Sequence, residues 1–487
     1  MTDNKNIIIV FEIGSSALRV AAAEVHADNV NILDSESSPI DQGVRYGRIQ
    51  NLEDVATAAR HCLDAIAARH CLGSRQVVSV YVTVGGRSMK AIRTGAELRL
   101  PVEGEISQEI LDRLVDMACA DIPDDYKIND IIPSQYIVDG MEVKRPIGNM
   151  ASSISAQFTI VCCNERNIRN IETLVAQRLN LDIADWITRP LAEGRMALTD
   201  SERKGGCMLV DLGAETTTVS IYKNDILCYL DTIPMGAEAI TNDIAVAMSV
   251  SEEEARTLKE HEADITAQKG ADVTANTLNT IVSDRTTHII ANIIEQIKFA
   301  GFKAEDLAKG IVITGGGSLL RHFGTRLAYL SRMTVRSAAN DGTVSYNDSA
   351  LPSGANFPLV ASIAEAARLA RSANAKACVS EPVAEPEPVK PEPKSDEGGI
   401  GNEDDAPVFG GGQFGPGVPP GRNYQPDDEP TFDDESEQPK PQKAPKHEQP
   451  EKPHKPSRFS SIMTGLGKRF TGLMSSPDGK DDFDDEK

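Results

Sequence analysis

The chain has 487 residues and a formal net charge of −23, from 73 Asp and Glu against 50 Lys and Arg. This acidity argues against a nucleic-acid-binding protein, because binding a phosphate backbone requires a basic surface. The eight cysteines contain no CxxC pair, so we expect no disulfide framework, no zinc site and a reducing compartment. We also expect no signal peptide and no membrane span, since no run of about 20 apolar residues occurs.

The first predicted element is a strand–turn–strand unit near the start of the chain. An apolar run leads into Glu12-Ile13-Gly14-Ser15-Ser16, and a second apolar run follows. The pattern recurs 199 residues later at Asp211-Leu212-Gly213-Ala214-Glu215-Thr216-Thr217. Two similar hairpins so far apart predict two lobes of related fold. Their glycine turns and hydroxyls offer donors to phosphate oxygens, and the preceding acids suit magnesium.

Alternating helices and strands follow the first hairpin. Helical spacing begins after Asn51, which is a candidate N-cap, and residues 77–84 read as a buried strand. Residues 85–155 are mixed and include a helix near 107–119, so we interpret them as an inserted subdomain. A strand at 155–162 and a helix at 165–179 then resume the core.

Past the second hairpin, helices are predicted at 236–248, 251–260 and 282–299. A buried strand then ends in Thr314-Gly315-Gly316-Gly317-Ser318, where three glycines leave a flat opening for a purine. No Walker A motif and no GxGxxG–helix unit occurs in the sequence, which excludes the P-loop and Rossmann classes. The alternation predicts an α/β fold with mixed sheets.

Composition changes sharply at residue 375. Residues 375–456 hold 17 of the 27 prolines and 18 acidic residues against 9 basic ones, so we predict a disordered acidic linker. Residues 457–474 then show one apolar stripe at helical period, with basic residues and no acids, which predicts an interfacial membrane helix. The alternative is a helix that docks onto its own core or a partner. The predicted membrane-binding residues are Phe459, Ile462, Met463, Leu466, Lys468, Arg469, Phe470, Leu473 and Met474.

The two hairpins and the later glycine turn, in this order, resemble the actin-like ATPase superfamily over most of residues 7–370. Three features are similar to the bacterial FtsA family: Glu12 in the first turn, the segment Ile233-Pro234-Met235-Gly236, and an insertion at the place of the 1C subdomain. The resemblance implies a two-lobed actin-like fold. The expected divisions are lobe 1 at 1–84 and 156–204, the 1C-type insertion at 85–155, lobe 2 at 205–374, the linker at 375–456, the amphipathic helix at 457–474 and an acidic tail at 475–487.

The resemblance also implies ATP and Mg²⁺ as cofactors. The expected nucleotide-binding residues are Glu12, Gly14, Ser15, Ser16, Asp211, Gly213, Ala214, Glu215, Thr216, Thr217, Lys259, Gly315, Gly316 and Gly317, with Glu12 and Asp211 at the metal. Departures from the family pattern are Ala214-Glu215 in place of Gly-Gly, Arg256 where relatives often have Glu, and Arg189 where hydrolytic relatives orient water. Glu193 is expected to be a surface carboxylate. ATP binding is therefore better supported than hydrolysis, and no catalytic residue is assigned.

The function that the resemblance implies is a cell-division protein at the division site, on the cytoplasmic face of the inner membrane. It would polymerise with itself, bind the C-terminal peptide of FtsZ, attach to anionic lipid through its C-terminal helix and recruit later division proteins, with no nucleic acid as partner. Two alternatives stay open: an actin-like scaffold of the pilus-assembly type, and a small-molecule kinase of the same superfamily.

Overall fold

The computed structural model describes residues 6–40, 42–69, 71–266, 273–346, 350–351, 357–373 and 375–381. The expected membrane helix at 457–474, the acidic tail and nearly all of the expected linker lie outside these ranges. The strands are β1 (Ile7–Ile13), β2 (Ala17–Val25), β3 (Val30–Pro39), β4 (Val44–Arg45), β5 (Arg48–Ile49), β6 (Ser79–Val84), β7 (Met89–Glu105), β8 (Tyr126–Val138), β9 (Met141–Val143), β10 (Met150–Asn164), β11 (Asp182–Thr188), β12 (Cys207–Leu212), β13 (Thr217–Lys223), β14 (Ile226–Ile233), β15 (Ile311–Thr314), β16 (Val335–Ser337) and β17 (Val344–Ser345). The helices are α1 (Leu52–Ala68), α2 (Gln108–Cys119), α3 (Glu165–Glu172), α4 (Arg189–Ala197), α5 (Asp200–Gly205), α6 (Glu238–Met248), α7 (Glu252–Thr257), α8 (Val273–Phe299), α9 (Phe323–Ser331) and α10 (Phe357–Ala370).

The first sheet has six strands in the order β11-β6-β1-β2-β3-β17. Strand β2 runs antiparallel to its two neighbours β1 and β3, whereas β6 and β11 continue parallel to β1. Helix α1 packs on β2 and β3 through the face that carries Val55, Ala59, Cys62 and Ile66. Asn51 caps α1 as predicted, since its side chain accepts hydrogen bonds from two backbone N–H groups of the first turn.

The second sheet has five strands in the order β14-β13-β12-β15-β16, and its strands are arranged as in the first sheet. Strands β12, β13 and β14 are antiparallel, and β15 and β16 continue parallel to β12. The long helix α8 packs against α6 and β13, with Ile289, Ile290, Ile293 and Ile297 in the core. Each sheet therefore begins with a hairpin whose first strand is central.

The insertion forms a third, fully antiparallel sheet in the order β7-β10-β8-β9. Helix α2 covers it and contributes Leu111 and Leu114 to a separate apolar core, in which Tyr136 meets Phe158 edge to face. Strand β10 runs without interruption through residue 155, where the sequence analysis places the end of the insertion. This strand thus pairs within the inserted sheet along its length, while Val161 and Cys163 near its end are buried in the core of the first sheet.

The chain returns to the first sheet after β16. Strand β17 pairs in parallel with β3, and α10 packs against β1, β2 and α4. Leu359, Val360 and Ile363 of α10 are buried in the first core, although the sequence analysis assigns residues 205–374 to lobe 2. The amphipathic pattern of α10 predicts a buried face but does not say which sheet covers it.

Residues 377–380 lie along the segment that precedes β6. Val78 donates a backbone hydrogen bond to the carbonyl of Cys378 at 2.8 Å, and Val379 forms a β-bridge with Val77. Cys378 and Val379 are almost fully buried. The folded body therefore extends past residue 375, the position at which the sequence predicts the linker.

Candidate functional site

The two hairpin turns share one hydrogen-bond pattern. The N–H of Gly14 donates to the carbonyl of Ala17 at 3.0 Å, and the N–H of Gly213 donates to the carbonyl of Thr216 at 2.8 Å. These four positions are equivalent in the repeat of 199 residues. The equivalence seen in the sequence therefore extends to the geometry of the turns. Ala214 has no positive φ, so its replacement of glycine causes no backbone strain.

Both turns open into one cavity of about 580 Å³, which is also bordered by the glycine turn after β15. A cavity of this size lies within the range of small-molecule and cofactor sites. Every residue that the sequence analysis assigns to nucleotide binding lines the cavity, except Glu215 and Thr217. The lining members are Glu12, Gly14, Ser15, Ser16, Asp211, Gly213, Ala214, Thr216, Lys259, Gly315, Gly316 and Gly317.

Glu215 and Thr217 have other partners. The Glu215 carboxylate accepts a hydrogen bond from the backbone N–H of Tyr46 at 2.6 Å and pairs with Arg45 Nε at 2.9 Å. It thereby links the second hairpin turn to the β4–β5 segment, which lies between β3 and α1 in the chain. The Thr217 hydroxyl is buried and donates to the carbonyl of Met235 at 2.7 Å. The structure gives both side chains a role in holding the turns rather than in lining the cavity.

A guanidinium group lies between the two predicted metal ligands. Arg189, the first residue of α4, places Nη1 3.1 Å from Glu12 Oε1 and Nη2 2.8 Å from Asp211 Oδ2. Its Nε is 3.4 Å from Glu193 Oε1. Arg19, opposite Glu12 in the first hairpin, donates to the other Glu12 oxygen at 2.6 Å. Three carboxylates and two guanidinium groups therefore form one cluster at the floor of the cavity.

Burial makes this cluster electrostatically strong. The side chains of Glu12 and Glu193 are 2% and 1% exposed, so the expectation that Glu193 is a surface carboxylate is wrong. Burial alone would raise the pKa of Glu12, but Arg19 and Arg189 together hold that pKa below its usual value. Burial and the nearby Asp211 charge raise the pKa of Glu193 well above its usual value. Glu12 therefore keeps its negative charge because its two cationic neighbours offset the loss of solvent.

The glycine turn after β15 depends on its first glycine. Gly315 has a φ of +83°, and a Cβ added there would collide with the Asp211 carboxylate and the carbonyl of Leu212. Strands β12 and β15 pair in register at Asp211 and Thr314, which brings the two loops this close. Glycine at this position is therefore required for both backbone conformation and space.

Basic residues border another part of the cavity. Lys259 donates to the Thr241 hydroxyl at 2.8 Å, and burial lowers the pKa of its ammonium group. Arg256, at the position where relatives often have Glu, also lines the cavity and pairs with Glu238 at 3.1 Å. Glu238 thus places a carboxylate beside position 256. These residues add hydrogen-bonding groups away from the Arg189 cluster.

Several residues that line the cavity were not assigned to the site from the sequence. Gly47, Gly85 and Gly86 line the cavity, and a Cβ on Gly86 would lie 2.7 Å from the Cα of Gly47. The glycines are visible in the sequence, but no local pattern indicates that these two segments cross. Arg19 carried a usable signal, because it stands opposite Glu12 once the hairpin register is drawn.

The predicted magnesium site can be tested against these donors. Magnesium requires near-octahedral oxygen coordination and is usually held by one or two carboxylates together with water and phosphate. Here both Glu12 oxygens and one Asp211 oxygen already face arginine nitrogens at 3.1 Å or less. No metal-binding group of three or more His, Cys, Asp or Glu residues is found within the described ranges. The donor set therefore does not fit direct magnesium ligation.

Comparison with known proteins identifies the family. One family model, described as the SHS2 domain inserted in FtsA, matches residues 86–162, and another, for cell division protein FtsA, matches residues 208–388. The chain belongs to the FtsA family. The FtsA of Neisseria meningitidis is 25% identical over 339 residues, which cover 66% of this chain and 80% of that protein. The FtsA proteins of Bacillus subtilis and Escherichia coli are 27% and 26% identical, and the alignments cover 64% and 65% of this chain and 74% and 80% of theirs.

Solved structures support the fold. The PilM-PilN type IV pilus biogenesis complex matches with a TM-score of 0.54 and 15% identity, covering 74% of this chain and 98% of that one. The predicted α/β class and the actin-like fold with an inserted subdomain are confirmed. The helices within the described ranges include none with the length and hydropathy of a membrane span. This FtsA-family chain is therefore a cell-division protein with two related sheets around one cavity and an inserted SHS2 domain.

Proposed function

We propose that this FtsA-family member binds ATP in the cavity between its two hairpins and polymerises on the cytoplasmic face of the inner membrane. There it tethers FtsZ at the division site and recruits later division proteins. The observation that carries the proposal is a cavity bordered by both hairpin turns and the third glycine turn, in a chain matched by FtsA models. Neither a hydrolytic step nor a catalytic residue is part of the proposal.

The chemistry of the cavity supports binding of a nucleotide. Gly14 and Gly213 allow phosphate oxygens to approach the hairpin turns, and Ser15, Ser16 and Thr216 add hydroxyl donors beside them. Gly315–Gly317 lack side chains and leave a flat surface for a purine. Because glycine-rich turns at phosphates are common to many folds, the three turns around one cavity matter more than any single turn.

Lys259 provides a direct test of nucleotide binding. The variant Lys259→Met removes a half-buried ammonium that lines the cavity. The control Lys298→Met removes an exposed lysine on the same lobe, outside the cavity lining, that pairs with Glu295 one helical turn away. We expect the affinity for ATP, measured by isothermal titration calorimetry, to fall about tenfold in the first variant and to stay unchanged in the second. Equal affinities in both variants and the unaltered chain would place the nucleotide elsewhere.

Membrane attachment and FtsZ binding rest on the family and on the predicted helix at 457–474. Co-sedimentation with anionic vesicles, with and without ATP, would compare the full chain with a form truncated after Pro456. We expect only the full chain to pellet, and ATP to increase the pelleted fraction, because a polymer presents many helices at once. Equal pelleting of both forms, or of neither, would refute the tether.

A labelled FtsZ C-terminal peptide should bind both forms in solution with equal affinity.

A further inference from the structure

The cluster around Arg189 occupies the position where the sequence analysis places a divalent cation. The two expected metal ligands, Glu12 and Asp211, come from the two different hairpins. Arg189 donates to both carboxylates, at 3.1 and 2.8 Å, and so connects the hairpins through a single guanidinium group. A cation already lies between these acids, and the chain itself supplies it.

The surroundings of Arg189 fix it in this position. It is the first residue of α4, directly before Pro190, so its backbone is set by the end of β11 and the start of the helix. Gly85 packs against the guanidinium, with Nε 3.5 Å from where a Cβ on residue 85 would lie. The side chain is only 12% exposed, yet it lines the cavity. Arg189 is therefore buried on the side of the acids and accessible on the side of a ligand.

The chemistry of arginine suits this place. A guanidinium stays protonated at any physiological pH and presents five N–H donors in a planar fork. It can therefore bridge two carboxylates and still offer donors to a phosphate, as a forked group does in bidentate recognition. Arg19 pairs with Glu12 Oε2, so the charges of Arg19 and Arg189 together balance two of the three carboxylates. A divalent ion would have to displace these hydrogen bonds to reach either oxygen of Glu12 or Oδ2 of Asp211.

We propose that nucleotide binding in this cavity does not require a divalent cation, because Arg189, together with Arg19, takes the place of the metal and contacts the phosphates. Arg189 acts here as a binding residue for the phosphate chain and as the link between the two hairpins. The inference rests on the proposed function, since it concerns the same nucleotide.

The test compares the affinity of the full chain for ADP and ATP in EDTA and in millimolar MgCl₂, by isothermal titration calorimetry. We expect the two conditions to differ by less than about threefold. Binding that falls more than about tenfold in EDTA overturns the inference but leaves the proposed function intact. Absence of binding in both conditions refutes the proposed nucleotide site, and the inference with it. This comparison uses the unaltered chain, so it does not depend on the folding of a variant.

A variant tests the role of Arg189 itself. Arg189→Gln removes the cation, and we expect its affinity in EDTA to fall at least about tenfold and to recover when MgCl₂ is added. The matched control is Arg195→Gln, which removes an arginine of the same helix that pairs with the buried Glu365 at 2.6 Å outside the cavity. The control should keep the affinity of the unaltered chain in both conditions. Equal affinities of Arg189→Gln and the control in EDTA would overturn the inference.

Manganese offers a readout that is independent of affinity. In a solution of ADP and Mn²⁺, adding the unaltered chain should not lower the electron paramagnetic resonance signal of free Mn²⁺ below the level that ADP alone produces. It should decrease in Arg189→Gln, because Glu12 and Asp211 then become available as oxygen ligands. A decrease of the same size in the unaltered chain would show that the metal binds despite Arg189 and would overturn the inference.

Discussion

Replacing Gly86 with alanine tests the close backbone crossing at the rim of the cavity. Gly86 has a φ of +77°, and its added Cβ would lie 2.7 Å from the Cα of Gly47 and 2.9 Å from the carbonyl oxygen of Tyr46. The three nearest atoms all belong to the backbone, so rotating a side chain would not relieve these contacts. The variant therefore combines a conformational cost with a steric one.

The size of the effect follows from these two costs. An L-residue in the left-handed region loses about 1–2 kcal/mol, and forcing atoms into a packed site loses about 1–3 kcal/mol more. We expect Gly86→Ala to lower the free energy of unfolding by about 2–5 kcal/mol, which for a folded body of this size corresponds to a fall in melting temperature of roughly 3–6 °C. Because Gly86 lines the cavity, the affinity for nucleotide should fall as well.

Gly73→Ala is the matched control. Gly73 has a φ of +63° between α1 and β6, but among the described residues, its chain neighbours aside, no atom lies within 4 Å of the position its Cβ would take. It should show only the conformational cost of about 1–2 kcal/mol and no change in nucleotide affinity. Differential scanning calorimetry of both variants separates the two costs. If Gly86→Ala and Gly73→Ala destabilise equally, the crossing with Gly47 does not constrain the fold and the reasoning is refuted.

Two further predictions concern ion pairs. Glu215→Ala removes the acceptor for the Tyr46 N–H and the partner of Arg45. The free energy of unfolding, measured in urea, should therefore fall by about 1–3 kcal/mol. An unchanged value would show that the link between the second hairpin turn and the β4–β5 segment does not stabilise the fold. Hydrogen bonds from Arg336 lower the pKa of Glu202 from 4.5 to about 2, so this pair stabilises the fold above pH 4.5 and the contribution is lost as the pH falls towards 2. The unfolding midpoint of Arg336→Met should therefore decrease less than that of the unaltered chain over this pH range, and parallel decreases would contradict the assignment.

Much of the fold follows from local patterns in the sequence. The apolar runs beside Gly14 and Gly213 predicted both central hairpins, and the repeat predicted two related sheets. The cap at Asn51 located the start of α1. These features depend on neighbouring residues, so the sequence contains their cause. The nine predicted membrane-binding residues lie outside the described part of the chain and stay predictions.

What the sequence did not reveal depends on contacts between distant segments. The pattern of α10 indicated a buried face but not that the first sheet would cover it. The mixed region before residue 155 concealed the long strands β7 and β8 and the start of β10, because few of the residues in β7 and β8 are buried. The second half of β10 coincides with the strand predicted at 155–162. Arg189 was recognised as unable to orient water, yet its position between Glu12 and Asp211 needed three segments to be brought together. The sequence therefore predicted the three glycine turns that border the cavity, but not the ion pairs that Arg189 forms with Glu12 and Asp211.

The packing of residues 377–380 has a mechanical consequence. Any tension applied to the chain beyond residue 381 reaches the folded body first at the two hydrogen bonds between Ser380 and Gln76. It then reaches the Val77–Val379 bridge and the hydrogen bond from Val78 to Cys378. The next support is β6, a strand with neighbours on both sides in the first sheet. A pull on the tail therefore loads a short terminal attachment before it loads the sheet, and it acts on the unit that carries Glu12 and Arg189 rather than on the β12–β15 sheet.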